Sequence, residues 1–395
     1  MATVDPNYVE VTEFEVWNIS EFLESIKNHL YLKEDIYSIM LRGESQKYTT
    51  RLASIFRGRN SFSHLSKMLD LFHRDTHNLF TTHDQEALMA LGQHYGLKTQ
   101  LLDITNQPLT ALYFAVNDES NANDSQLYNG YIYTFDSFFE LNLSDILPLN
   151  KPISLNDLFL DSPEITKKLI SKISTSTTLC MGANFGVILN EIQSSLQALP
   201  TNLRYFLGGA PLRIYQLLEA LESYISTPEA YDEESNLPCR YLITNELVKE
   251  DFESVFNLLN IDLEDSTLEV QLATIYVSLC SLILSDLSKV RLKNQEIDSN
   301  ILTFLPNFYY RPVLDDNRLN LQKGFFFVQL PLLSLGRIQY IQNIPESYTF
   351  IIPKEAKLYI SKELELLGIN QKTIYGDPDH IANYINNAFE NNDIY

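Results

Sequence analysis

The chain has 395 residues, 45% of them hydrophobic and 20% charged, an ordinary globular composition that argues against disorder. Its 51 acidic residues outweigh 29 basic ones, for a formal net charge of −22; so negative a surface repels phosphate backbones and argues against non-specific nucleic-acid binding. A chain this long can bury a sizeable core and is expected to divide into two structural units.

Cys180, Cys239 and Cys280 stand far apart without a CxxC pair, which excludes a disulfide scaffold and a zinc ribbon and fits a reducing cytoplasm. The first residues, Met1 to Pro6, have neither the basic start nor the apolar run of a signal peptide. No membrane association is expected: the longest apolar-rich stretch, Leu272–Leu284, carries Thr274, Ser278 and Ser281 and reads as a buried helix too short to cross a bilayer. His73 and His77 stand one helical turn apart near Asp70, but neither an HExxH motif nor a second cluster accompanies them, so no metal site is predicted.

Phe14–Asn28 reads as a helix with Ser20 as its N-cap and Phe22, Leu23 and Ile26 on one face. Ile36–Leu41 is an apolar run of strand type, with Arg42-Gly43 where it gives way to a loop. Thr82–Gln85 is expected to cap a helix carrying Ala87, Leu88, Leu91 and His94, which Gly96 ends. Pro108 opens a further helix with Leu109, Leu112, Tyr113 and Val116 at helical spacing; Asn129-Gly130 is a turn and Tyr131–Phe135 a strand.

From Leu155 the pattern turns helical. Ser162-Pro163-Glu164 and Pro211 open helices, Asn245–Leu259 is another, and Ser266 with Glu269 forms a capping box ahead of Leu272–Leu287. Strand patterns return at Gly324–Leu330 and Tyr348–Ile352. The expected fold is α+β: a small mixed or antiparallel sheet with flanking helices, formed by residues 1–150 and 305–395, around a mostly helical insertion at 151–304.

The candidate chemistry concentrates around Arg42 and Gln93–Phe114. An arginine leaving a strand and followed by glycine presents a guanidinium fork suited to phosphate or carboxylate and lets a ligand approach the backbone; a salt bridge to Asp103 or Glu44 is the structural alternative. His94 and Tyr95 end a helix, where the imidazole can hold a ribose hydroxyl or phosphate, or simply cap the C-terminus. Tyr95 or Tyr113 can stack on a flat ring, or pack as ordinary core aromatics. Asp103 can stabilise a developing cation, or act with Thr105 as a cap for the helix at Pro108.

Taken in order, Leu41-Arg42-Gly43-Glu44, Gln93-His94-Tyr95-Gly96-Leu97-Lys98-Thr99, Leu101-Leu102-Asp103-Ile104-Thr105 and Pro108-Leu109-Thr110-Ala111-Leu112-Tyr113-Phe114-Ala115 resemble the FRG-domain family, named for a Phe-Arg-Gly motif and found mainly in bacteria and their phages. Arg318, Gln322, Gly324 and Phe325 look like its later Arg…Gln-x-Gly-Phe strand, and the region around Ile351–Ile385 like its C-terminal end. The resemblance covers roughly 14–140 and 305–390. Leu41 stands for the naming Phe, and Lys98-Thr99-Gln100 for the usual Pro-Thr-Arg, which removes a cation able to pair with Asp103 or a ligand phosphate.

The motif order is in turn similar, as a fold-level analogy, to the NAD-binding core of ADP-ribosyltransferases. That resemblance implies a nucleotide-like ligand, NAD as the cofactor consumed, and a toxin or phage-defence setting. Arg42, His94 and Asp103 would then be the catalytic residues, and Arg42, Gly43, His94, Tyr95, Thr105, Tyr113, Arg318 and Gln322 the binding residues. Gly324 stands where a transferase would show its glutamate. The alternative is a non-catalytic ligand-sensing or protein-binding module, with the helical insertion as the surface for a protein partner.

Overall fold

In a computed structural model that describes residues 12–30, 39–48, 51–57, 62–76, 87–117, 127–135, 140–175, 268–289, 302, 305–312, 324–342 and 346–390, the fold is α+β. Its elements begin with β1 (Thr12–Glu15), α1 (Ile19–Leu30), β2 (Met40–Glu44), α2 (Leu65–Thr76) and α3 (Leu88–His94). β3 (Leu101–Thr105), α4 (Pro108–Val116), β4 (Gly130–Phe135) and β5 (Glu140–Asn142) follow. Next come α5 (Leu155–Phe159), α6 (Pro163–Ser174) and α7 (Leu268–Lys289). The C-terminal part holds β6 (Asn307–Tyr310), β7 (Gly324–Val328), β8 (Pro331–Ser334), β9 (Arg337–Ile341) and β10 (Glu346–Ile352), then α8 (Lys354–Leu366), α9 (Gln371–Tyr375) and α10 (Pro378–Glu390).

Eight strands form one mixed sheet in the order β1-β10-β4-β2-β3-β7-β6-β5, and β8 and β9 make a separate hairpin. The two outermost pairings, β1 with β10 and β5 with β6, are parallel; the inner ones are antiparallel. Strands from before residue 151 and after residue 304 share this sheet, since β4 pairs with β10 and β3 with β7.

Alternation along β2 sorts its side chains between two faces. Leu41 joins Leu112, Ile132, Phe350 and Ile360 in a core cluster beneath α4 and α8, while Met40 joins Ile104, Tyr133 and Phe327 on the other face. Helix α4 lies so close to the sheet that only glycine fits under it. A Cβ placed on Gly43 would stand 1.9 Å from the Ala111 carbonyl oxygen, and one on Gly130 2.2 Å from that of Ala115. Glycine at 43 therefore serves helix–sheet contact, whereas the sequence suggested ligand approach.

A third cluster joins Leu158, Leu169, Tyr276, Leu284, Phe308, Val328, Leu332 and Tyr340, so α5, α6 and α7 share a core with β6, β7 and the β8–β9 hairpin. Helix α7 extends beyond the apolar stretch read from the sequence, and its Leu272–Lys289 portion is long and apolar enough to cross a membrane. In this fold 67% of that portion is buried in the protein. Its hydroxyls are matched internally: Ser278 donates to the Thr274 carbonyl at 2.7 Å and Ser281 to the Phe159 carbonyl at 2.9 Å.

Three local expectations are corrected. Phe14 belongs to β1, and the cap of α1 is Asn18, whose Oδ1 accepts from the Glu21 N–H at 2.9 Å, in place of Ser20. Arg42 and Gly43 lie inside β2 instead of leaving it, because both are held in the ladder with β4. Ser162 caps α6 as expected. The helix expected to carry Ala87, Leu88, Leu91 and His94 is α3, which begins after Ala87, while its expected cap at Thr82–Gln85, the helices at Pro211 and Asn245–Leu259 and the capping box at Ser266 involve residues outside those described.

Candidate functional site

Strand β2 pairs with β4 along all five of its residues, but it meets β3 at one pair, Leu41 with Thr105. Strand β3 instead pairs along its whole length with β7. The sheet thus opens into a seam between β2 and β3, and a cavity of about 300 Å³ lies there. Arg42 and Gly43 line it from β2, Asp103 and Thr105 from β3, Gln93 and His94 from the end of α3. Phe114 from α4 and Gly324 to Phe326 from β7 add apolar walls.

Arg42 bridges the seam. Its Nε donates to Glu44 Oε1 at 2.7 Å and its Nη1 to the Asp103 carbonyl at 2.8 Å, replacing the ladder bonds that the parted strands do not make. The Asp103 carboxylate stands 4.0 Å from the same Nη1. Glu44 is only 4% exposed against 69% for Asp103, so the buried carboxylate is the main counter-charge of the guanidinium. The guanidinium fork is engaged at two of its three nitrogens, with the internal pairing to Glu44 that was the structural alternative in the sequence. Glu44 Oε2 has no partner among the described residues.

Asp103 is held from its other side. Gln93 Nε2 donates to its Oδ1 at 2.9 Å, and the Thr99 hydroxyl donates to Gln93 Oε1. Helix α3 ends at Tyr95, and Gly96 takes φ of +87°, the left-handed turn that brings the chain back toward β3. His94 sits edge-on to Tyr95, with ring centroids 4.8 Å apart.

On the strand beside Arg42, Tyr133 carries the Arg51 guanidinium over its ring at 3.5 Å, and Arg51 pairs with Glu346 at 2.5 Å. Burial pushes the Tyr133 phenol up to about 12, against the opposing pull of Arg51. Burial also raises the Glu346 carboxyl, again opposed by Arg51.

The structure thus brings Arg42, Gly43, His94, Asp103 and Thr105 to one cavity. It does not bring Tyr95 or Tyr113 there: Tyr95 is exposed beside Phe72, and Tyr113 is buried in the core under α4. The helix α4 aromatic that lines the pocket is Phe114, opposite Phe325 and Phe326 of β7. Helical spacing carried that signal, since Leu109, Leu112, Tyr113 and Val116 form the buried stripe and Phe114 lies off it. Arg318 and Gln322 lie outside the described residues. Neither of the two suggested caps holds α4, whose N-cap is Gln107 without a side-chain bond; Thr105 Oγ1 accepts from the Gln107 N–H at 3.1 Å, ahead of the helix. Asp103 instead faces Gln93. Gln93 is a functional residue whose signal in the sequence was a polar amide one position before His94 at the end of an apolar helix.

Fold and site define a class: an α+β protein with a polar pocket at an open seam of a mixed sheet. The FRG domain family model matches residues 37–124, and the chain carries an FRG domain over that segment. Every pocket residue from Arg42 to Phe114 falls within it, while the β7 wall lies outside. No curated protein and no solved structure matches the chain.

Proposed function

We propose that the seam pocket binds a nucleotide-type small molecule, and that the protein consumes NAD there as an ADP-ribosyltransferase-like enzyme. The observation that carries this reading is the convergence of Arg42, His94, Asp103 and Phe114 on one cavity of about 300 Å³, a concave site combining an aromatic wall with a few directed polar groups. In such a reaction the bond between the ribose anomeric carbon and the nicotinamide nitrogen breaks, nicotinamide leaves with the electron pair, and an acceptor nucleophile attacks the sugar cation. Asp103 is the carboxylate placed to face that cation, and Arg42 and His94 are placed for the polar parts of the ligand. The family resemblance adds a toxin or phage-defence setting.

The test is NAD binding by calorimetry and nicotinamide release by the full-length protein, against Asp103→Asn. Because Asp103 is 69% exposed, this variant is expected to keep its melting temperature within a few degrees while release falls at least a hundredfold. One observation favours a non-catalytic sensing module: Gly324, not an acidic residue, begins the β7 wall, leaving Asp103 as the acid of the pocket among the described residues. NAD binding without nicotinamide release would select that second reading. No binding at all would remove NAD.

A further inference from the structure

The directions of the hydrogen bonds behind Asp103 are fixed by chemistry. The Asp103 carboxylate can only accept, so the Gln93 amide turns its NH₂ to Oδ1 at 2.9 Å. Gln93 Oε1 then faces Thr99, whose hydroxyl donates to it while its oxygen accepts from the Leu101 N–H at 3.2 Å. Thr99 cannot swing away, being fully buried and tied through its N–H to Ser54 Oγ at 3.0 Å. An acceptor-only carboxylate is therefore held by a donor of fixed orientation, with its second oxygen toward the Arg42 side of the cavity.

The charges around it favour one sign of ligand. One guanidinium, Arg42, faces two carboxylates, the buried Glu44 at 2.7 Å and the exposed Asp103 at 4.0 Å, so these three groups together leave one negative charge at the mouth. The aromatic residues that line the cavity on the Asp103 face are Phe114 from α4 and Phe326, which pairs with Asp103 across the β3–β7 ladder. Carboxylate and aromatic faces together suit a cation.

We propose that Thr99 and Gln93 are positioning residues that hold Asp103 as a fixed acceptor, so that the ligand group met at this point of the pocket is a cationic ring or a hydrogen-bond donor, never a phosphate. The inference rests on the pocket being a ligand site and assigns which part of the ligand lies where.

The test uses full-length protein labelled with ¹⁵N-glutamine, the Gln93 side-chain signals being identified by their loss in Gln93→Asn. One Gln93 NH₂ proton is expected well downfield of a free amide and slow to exchange with water. Asp103→Ala and Thr99→Val are expected to return it to the free-amide position, and Thr99→Ser to restore it. At constant ionic strength, the 1-methylnicotinamide cation is expected to shift the Gln93 signals, with at least tenfold weaker binding in Asp103→Ala, and inorganic phosphate to leave them unmoved. A Gln93 amide at the free position in the wild type, or one unmoved by Asp103→Ala, overturns the relay. A shift with phosphate equal to that with the cation, or no shift with the cation, overturns the ligand class. These failures are separate from loss of the proposed activity: absence of nicotinamide release removes the transferase reading and leaves the amide signals as they are.

Discussion

Gln93 and Gln100 stand at the two ends of one loop and serve different regions of the molecule. Gln100 is fully buried; its Oε1 accepts from the Ile153 N–H at 3.0 Å, and its Nε2 donates back to the Ile153 carbonyl at 3.0 Å. Gln329 beside it does likewise for the Ala53 N–H and the Arg51 carbonyl. In this clamp both ends of each amide are bound to main chain that has no other place to go. The Gln93 chain of bonds ends instead on Asp103, a carboxylate open to solvent. A polar side chain whose bonds close on backbone is architecture, and one whose bonds end on a reachable charge belongs to a site. Position 100 also shows that an arginine there would meet the clamp and not Asp103, so its absence takes nothing from the pocket.

Changes that break the closed region should cost the most. Gly43→Ala forces a methyl group into the Ala111 carbonyl, and since backbone cannot rotate aside, a loss of about 3 kcal/mol or more is expected in chemical denaturation. A melting temperature within a few degrees of wild type would show that α4 can lift from the sheet. Arg42 belongs to both regions. Arg42→Ala leaves the buried Glu44 without its partner and is expected to cost about 2–3 kcal/mol, most of it recovered in Arg42→Ala/Glu44→Gln. Equal stability of the single and double variants would mean that the pair adds nothing to the fold.

The two glutamines give the sharpest contrast. Gln100→Leu strands the Ile153 N–H and carbonyl and should cost about 2 kcal/mol, whereas Gln93→Leu leaves Asp103 to water and strands only the buried Thr99 hydroxyl, and should cost about 1 kcal/mol. Comparable losses in urea unfolding would erase the distinction drawn here.

The smallest effect concerns Tyr133, whose hydroxyl is buried without a partner among the described residues. Its folded pKa of about 12 lies above the unfolded value of about 10. Below pH about 10 both states keep the proton; as pH rises from about 10 toward 12 the unfolded chain releases it first, so this contribution to stability is lost across that window. Tyr133→Phe is expected to change stability at neutral pH by no more than about 1 kcal/mol and to flatten the alkaline decline. An unchanged alkaline slope would assign the decline to other tyrosines.

Much of the site was legible because its residues interrupt apolar segments. Arg42 in an apolar strand, Asp103 between Leu102 and Ile104, and His94 at a helix end before Gly96 are polar groups where burial without a partner is unfavourable. Periodicity also indicated the α4 stripe, the β4 and β10 strands and the Ser162 cap. It could not show that β2 pairs fully with β4 and barely with β3, because strand partners are chosen across the chain, and the seam that makes the cavity exists only in that choice. Nor could it show why position 43 is glycine, since the reason is a carbonyl 68 residues later in the chain.

The sequence by itself determined the α+β class, the FRG resemblance over its motif segments and the polar residues that needed partners, since these follow from local pattern and composition. Only the tertiary structure decided which partner each one found. Arg42 turned to Glu44 and the Asp103 backbone, Gln93 to Asp103, and Gln100 to Ile153. The physical reason is that hydrogen-bonding capacity belongs to a residue's chemistry, whereas the geometry that satisfies it is set by strands and helices brought together from distant parts of the chain.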